Sequence, residues 1–188
     1  MKLVCIGDSL TYGYGVSSKF SWVELLKTHF NMDVINKGIN GDTTSGILSR
    51  SYRDVICEKP NYVIIMAGTN DILMDYPLML IKDNIELLIK EAKENNIIPI
   101  IALQPPIIGE LAKIYWDSEI NYERINLNLS AYITWLKSLK VTFINFYDEF
   151  LNKNNIKSLY SDGIHPNAEG HKLMFDIVAK LEIYNLEH

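Results

Sequence analysis

An α/β fold, a parallel sheet with helices on both faces, is predicted by three features of this 188-residue chain. Short apolar runs alternate with longer segments of helical apolar spacing. The runs are apolar at consecutive positions, as strands buried on both faces are. The polar, glycine-bearing motifs all follow the runs. Strands alternating with helices are joined by right-handed crossovers, and the ligand crevice of such a sheet lies beyond the carboxyl ends of its strands.

The first strand spans Leu3–Ile6 and closes at Gly7. Ser21 to Phe30 follows as a helix, with Trp22, Val23, Leu25, Leu26 and Phe30 spaced along one face. Asp33–Asn36 is a brief second strand. Thr43 to Cys57 reads as a helix with Ile47, Leu48 and Val55 inward. Tyr62–Ala67, reached through Pro60-Asn61 and closed by Gly68, is the clearest buried strand. Pro77 to Asn95 is a helix with Leu80, Ile81, Ile85, Leu88, Ile89 and Ala92 in register. Ile97–Leu103 is the fourth strand, where Pro99 points to a start position or an irregular edge, because it has no N–H to donate. Glu119 to Leu139 is a long helix and Val141–Phe146 the fifth strand. Asn167 to Ile183 closes the chain as a helix, with Asn167 as its N-cap. Met66, Met74, Met79 and Met174 are expected to pack, and His29 to be solvated.

At 48% hydrophobic and 22% charged, the composition suits one domain, taken as residues 1–185, and no linker, repeat or low-complexity stretch divides it. Leu186-Glu187-His188 resembles the first residues of an expression tag. The net charge of −5 offers no basic footprint and argues against a nucleic-acid partner. No apolar run approaches the roughly 18 residues that a membrane helix needs, and the N-terminal run is too short for a signal peptide. In that setting Cys5, on a buried strand, and Cys57, near a helix end, read as free thiols in a reducing cytoplasm. Oligomeric state is not legible.

Five polar segments fall on one edge of the expected sheet: Asp8-Ser9, Asn36 to Asp42, Gly68 to Asp71, Gln104 to Trp116, and Asp162 with His165. In Gly7-Asp8-Ser9-Leu10, the glycine permits a tight turn, and a helical turn after Ser9 would set backbone N–H groups near a developing oxyanion. Gly-x-Ser-x-Gly is absent, which argues against an ordinary α/β-hydrolase. Gly41 lacks a Cβ, so its N–H can approach a reacting carbonyl closely; the same stretch also reads as a helix start capped by Asp42 or Thr43. The Asn70 amide, in a motif that otherwise reads as a turn, could supply a further donor. In Asp162-Gly163-Ile164-His165-Pro166 the carboxylate can reach Nδ1 and leave Nε2 free for Ser9. Nucleophile, base and orienter are then complete, and a hydrolase is the leading reading. Asp8, Asp162 and His165 could also share a metal, but no His-x-x-x-His pair supports one, and His165 and His171 are six residues apart; no metal is expected.

Together these blocks resemble the SGNH hydrolase superfamily, also called GDSL esterases and lipases, along the whole chain and in order. The resemblance implies a flavodoxin-like three-layer α/β/α sandwich with a five-stranded parallel sheet. It implies Ser9 as nucleophile, His165 as base and Asp162 as its orienter. The implied oxyanion hole is built from the Ser9 and Gly41 N–H groups and the Asn70 side chain, and no cofactor is required. The expected reaction is hydrolysis of a small-molecule ester through an acyl-Ser9 intermediate. Tyr12, Tyr14, Tyr115 and Trp116 are the candidate substrate-binding residues. Without a long lid insertion a small acyl group such as acetyl is favoured; longer chains, as for a lysophospholipase or thioesterase, are the alternative. A non-catalytic small-molecule-binding module using Gly38 and Gly41 is the competitor from another class. It lacks a Gly-x-x-x-x-Gly-Lys-Ser/Thr pattern and leaves Ser9, Asp162 and His165 unexplained. A metal-dependent phosphodiesterase ranks third.

Overall fold

The structure, a computed structural model, describes residues 1–30 and 32–181. Five strands, β1 (Lys2–Gly7), β2 (Asp33–Gly38), β3 (Tyr62–Met66), β4 (Ile98–Leu103) and β5 (Thr142–Asn145), form one all-parallel sheet in the order β2-β1-β3-β4-β5. The chain winds outward from β1 to β2, then crosses to the other side for β3, β4 and β5. The carboxyl ends of β1 and β3 therefore flank the point where the winding reverses, where open α/β sheets form their ligand crevice.

Alternation along each strand divides the core in two. Val4, Ile6, Val63, Ile65, Ile101 and Leu103 face one layer of helices: α3 (Thr44–Asp54), α5 (Leu78–Glu94) and α7 (Tyr122–Ser138). Leu3, Cys5, Ile64, Met66, Ile100 and Ala102 face the other: α2 (Trp22–His29), α8 (Phe146–Leu151) and α9 (Ala168–Ala179). Three short helices, α1 (Ser9–Tyr12), α4 (Thr69–Leu73) and α6 (Gly109–Tyr115), stand at the strand ends. The result is the expected three-layer α/β/α sandwich. Several helices start on side-chain caps: Ser21 for α2, Thr43 for α3, Asn121 for α7, Asn145 for α8 and, as the sequence predicts, Asn167 for α9.

Some expectations are corrected. Leu80 is 41% exposed rather than inward, because it sits one position from the buried Ile81 on α5 and so on the flank of the helix. Met74 and Met79 are exposed, whereas Met66 and Met174 are buried. The helix from Thr43 stops at Asp54 and continues as a 3₁₀ turn over Ile56–Glu58, ahead of Lys59-Pro60. Of the two readings of Pro99 the start position holds, since it is second in β4, and the irregular edge does not. Ile98 donates toward the β3 side, to Asn61, so the missing N–H of Pro99 points toward β5, whose pairing begins only opposite Ile100. The end of the closing helix at Ile183 and the tag-like 186–188 lie outside the described residues.

One buried histidine makes the fold pH-sensitive. His171 on α9 has no exposed surface; its Nδ1 accepts the Trp22 N–H at 3.4 Å, and burial lowers its pKa to about 4. The folded value lies below the unfolded one of about 6.5. The neutral ring's contribution is therefore present above about pH 6.5 and is lost as pH falls through about 4. Relative to His171→Gln, the wild type should lose up to about 3 kcal/mol between those values, measured as urea midpoints. A difference that does not change with pH would contradict this.

Candidate active site

Asp8 caps the helix that follows β1. Its Oδ1 accepts the Leu10 N–H at 2.9 Å, which starts α1 at once and makes Ser9 the first helical residue. The Ser9 N–H is thus one of those that a helix leaves without an internal partner. Asp8 is fully buried, its Oδ2 has no hydrogen-bond partner among the described residues, and burial, aided by the nearby Asp71 and Asp42, pushes its pKa up to about 7.

At the far end of the chain the Asp162 loop folds around its own carboxylate. Oδ1 accepts the Ile164 N–H at 2.9 Å and the His165 N–H at 2.7 Å, while Oδ2 accepts from Nδ1 of the His165 ring at 2.8 Å. Burial alone would raise the Asp162 pKa, but the ring and backbone donors outweigh it and hold the carboxyl below its ordinary range. With Nδ1 carrying its proton toward Asp162, Nε2 is left to accept the Ser9 hydroxyl at 2.9 Å. Residues 156 positions apart meet because both follow strand ends on the same edge. Gly163 makes the loop possible: its φ is +91°, and a Cβ there would stand 2.5 Å from the Ala112 nitrogen and 2.6 Å from the Ile108 oxygen. The Gly163 carbonyl accepts the Ile108 N–H at 2.7 Å, which presses the loop onto the start of α6.

The remaining candidates follow β2 and β3. Gly41 has φ +75°, with open space where a Cβ would stand, and its N–H makes no hydrogen bond among the described residues. Asn70, on α4, donates from Nδ2 to the Asp42 carbonyl at 2.8 Å, which ties its amide to the glycine loop. The rings of Tyr14 and Trp116 flank His165, with centroids 4.5 and 5.5 Å from the imidazole. Tyr12 lines a separate recess with Val16, Ser18, Glu24 and Asn36 beside the end of β2. Tyr115 is exposed and makes no ring contact with His165. Among the described residues no group of three or more His, Cys, Asp or Glu side chains could hold a metal ion.

Two polar supports were not anticipated from the sequence. Arg50, buried on α3, donates to the Gly7 carbonyl (3.0 Å), the Lys37 carbonyl (2.9 Å), Asp42 (2.7 Å) and Asp54 (2.9 Å). It thereby fixes the ends of β1 and β2 and the glycine loop together. Asp71 accepts the Thr44 N–H at 2.9 Å and its hydroxyl at 2.6 Å, joining the β3 loop to the start of α3, and Asn84 donates to the same hydroxyl at 3.0 Å. The i,i+4 spacing of Arg50 and Asp54 was the one signal for the first. The Asp71 contact spans 27 positions and left none.

Residues 5–173 match the profile of the GDSL-like Lipase/Acylhydrolase family. The chain belongs to that family. By that membership it is a hydrolase of ester bonds. It is 28% identical over 186 residues to an arylesterase of Vibrio mimicus, covering 95% of this chain and 86% of the relative. Lipoprotein YqeF of Bacillus subtilis is 36% identical over 119 residues, 56% of this chain, and the match spans 49% of that protein. A solved structure of a lipolytic protein of the G-D-S-L family from Desulfitobacterium hafniense DCB-2 superposes with a TM-score of 0.80 at 30% identity, over 96% of this chain and 98% of the other. No helix among the described residues is long and apolar enough to cross a membrane.

Removing the Arg50 guanidinium takes a buried charged donor from Asp42, from Asp54, which keeps Arg53, and from the Gly7 and Lys37 carbonyls. Arg50→Ala should lower stability by about 3–5 kcal/mol, read as a large fall in the urea midpoint. An unchanged midpoint would show that the loops hold without it.

Proposed function

We propose that the protein is a serine esterase acting on small or short-chain acyl esters, such as acetyl esters, through an acyl-Ser9 intermediate. The observation that carries the reading is the relay itself, Asp162 to His165 at 2.8 Å and His165 to Ser9 at 2.9 Å. Ser9 Oγ attacks the ester carbonyl while its proton passes to Nε2 of His165. The tetrahedral oxyanion is held by the Ser9 and Gly41 N–H groups and by the Asn70 amide, donors aimed where charge develops. The alcohol then leaves with the proton from His165, and water repeats the sequence on the acyl-Ser9. Asp162 stabilises the imidazolium and holds its tautomer. The cycle as proposed uses no cofactor and lies within one domain, residues 1–185.

The small-acyl preference is supported by the close cover over the base, with His165 only 6% exposed beneath Tyr14 and Trp116. We assign these two to the walls around the bound ester, but not Tyr12, in its separate recess, or Tyr115, which makes no ring contact with His165. The name of the Vibrio mimicus relative supports aryl esters as probes. Unpaired Cys5 and Cys57 support a reducing, cytoplasmic setting.

Initial rates on p-nitrophenyl esters from acetate to palmitate test the reading. Turnover should be greatest on acetate and should vanish in Ser9→Ala, with folding retained. Greatest turnover on palmitate would replace the small-acyl reading with the long-chain one, and turnover retained in Ser9→Ala would overturn the mechanism. On the preferred ester, Asp162→Asn should cost about 10⁴ in kcat through a misassigned tautomer, and Asn70→Ala about 10²–10³ through a lost oxyanion donor. Losses below tenfold would remove those residues from the mechanism.

A further inference from the structure

We infer that Tyr14 and Trp116 are positioning residues of the base, two aromatic rings set beside the His165 imidazole that stabilise it while it holds the Ser9 proton. The inference rests on the serine-esterase reading and goes beyond the role of these rings as walls.

The two rings approach His165 from different parts of the chain at nearly the same tilt. Tyr14 stands with its centroid 4.5 Å away at an interplanar angle of 49°, and Trp116 at 5.5 Å and 47°. Tyr14 itself is 41% exposed and Trp116 50% exposed, so neither is packed in the core. Each is anchored to a segment that carries or supports the triad. Gly13 and Tyr14 both donate their N–H to the Ser9 carbonyl, at 3.0 and 3.1 Å. Trp116 ends α6, whose start is pinned to the Gly163 carbonyl. Nucleophile, base and both rings therefore keep their relative places.

A cation within about 6 Å of an aromatic centroid is attracted to the negative face of the ring, more strongly where water is excluded. Both separations fall in that range. During acylation the Ser9 O–H bond breaks, its proton passes to Nε2, and the new bond forms between Oγ and the carbonyl carbon. The imidazole is positive from that moment until the proton passes to the departing alcohol oxygen. An attraction that exists only while the charge exists lowers the barrier without tightening substrate binding. Asp162 supplies the anionic side of the ring's surroundings and the two aromatics its apolar side. The ionisable groups set around the imidazole are Asp162 in its own loop, the Tyr14 phenol from the segment after α1, and His171 from α9.

The test uses Tyr14→Leu and Trp116→Leu with the conservative Tyr14→Phe and Trp116→Phe. The readout is the rate at which diethyl p-nitrophenyl phosphate captures Ser9. Capture needs the same base but no acyl pocket. Each leucine variant should be captured about 3- to 10-fold more slowly. Each phenylalanine variant, which keeps an aromatic ring beside His165, should recover most of the lost rate. On an acetate ester, kcat should fall in the leucine variants and be largely recovered in the phenylalanine ones. Leucine variants captured at the wild-type rate would overturn the inference, as would phenylalanine variants captured as slowly as the leucine ones, which is the mark of a misplaced ring alone. Failure of the wild type to be captured at all would instead overturn the Ser9 reading on which the inference stands.

Discussion

The buried guanidinium of Arg50 is the contact on which the arrangement of the strand ends depends. At the paired ends of β1 and β2 the Gly7 carbonyl, which already accepts the Ile39 N–H at 3.0 Å, and the Lys37 carbonyl each take a further donor. Arg50 supplies both, and its remaining N–H groups reach Asp42 at the glycine loop and Asp54 one turn along α3. A lysine could not span these four acceptors, since only the planar fork of arginine presents fixed donors in several directions at once. The charge is buried with partners around it, the condition under which such a group is tolerated in an interior. The segment that ends in Ser9 and the loop that carries Gly41 are thereby held by one side chain.

A second set of contacts performs the same task from β3. Asp71 holds the first turn of α3 through Thr44, and Asn70, its neighbour, ties its amide to the Asp42 carbonyl. The Asp162 loop is held separately, against α6. The acidic groups in this region occupy contrasting environments. Asp162, rich in donors, stays below the ordinary carboxylate range, whereas Asp8, fully buried with one unpartnered oxygen, is raised to about 7. Hydrogen bonds to its charged form thus keep the pKa of Asp162, the carboxylate paired with the His165 ring, low.

The sequence carried most of the fold because its signals are local. Consecutive apolar residues in Leu3–Ile6 and Tyr62–Ala67 mark strands buried on both faces, and the order of the polar motifs places them on a single edge. Asp162 and His165 were legible because a three-residue spacing in a glycine-bearing loop is itself a short-range geometric statement. Pro99 left two readings open, a start position or an irregular edge, because its consequence depends on which side its nitrogen faces and on where β5 begins, and neither is written near it. Leu80 fits a helical apolar pattern but lies just off the packed face, and Met74 and Met79 lie beside apolar segments without entering the core. Among the four aromatic candidates the sequence could not separate Tyr14 and Trp116, which stand at the base, from Tyr12 and Tyr115, which do not. Arg50 and Asp71 act across the fold through partners brought near by topology alone.

The central claim is that the strand-end loops make Ser9 a nucleophile. Its most direct test is to quench the protein in the first turnovers with p-nitrophenyl acetate and map the acetyl group by peptide mass spectrometry. The account predicts acetyl on the peptide carrying Ser9, accumulating in step with the first release of p-nitrophenol and absent when His165 is replaced by alanine. Acetyl on another residue, or steady hydrolysis with no acetylated peptide at any time, would contradict it.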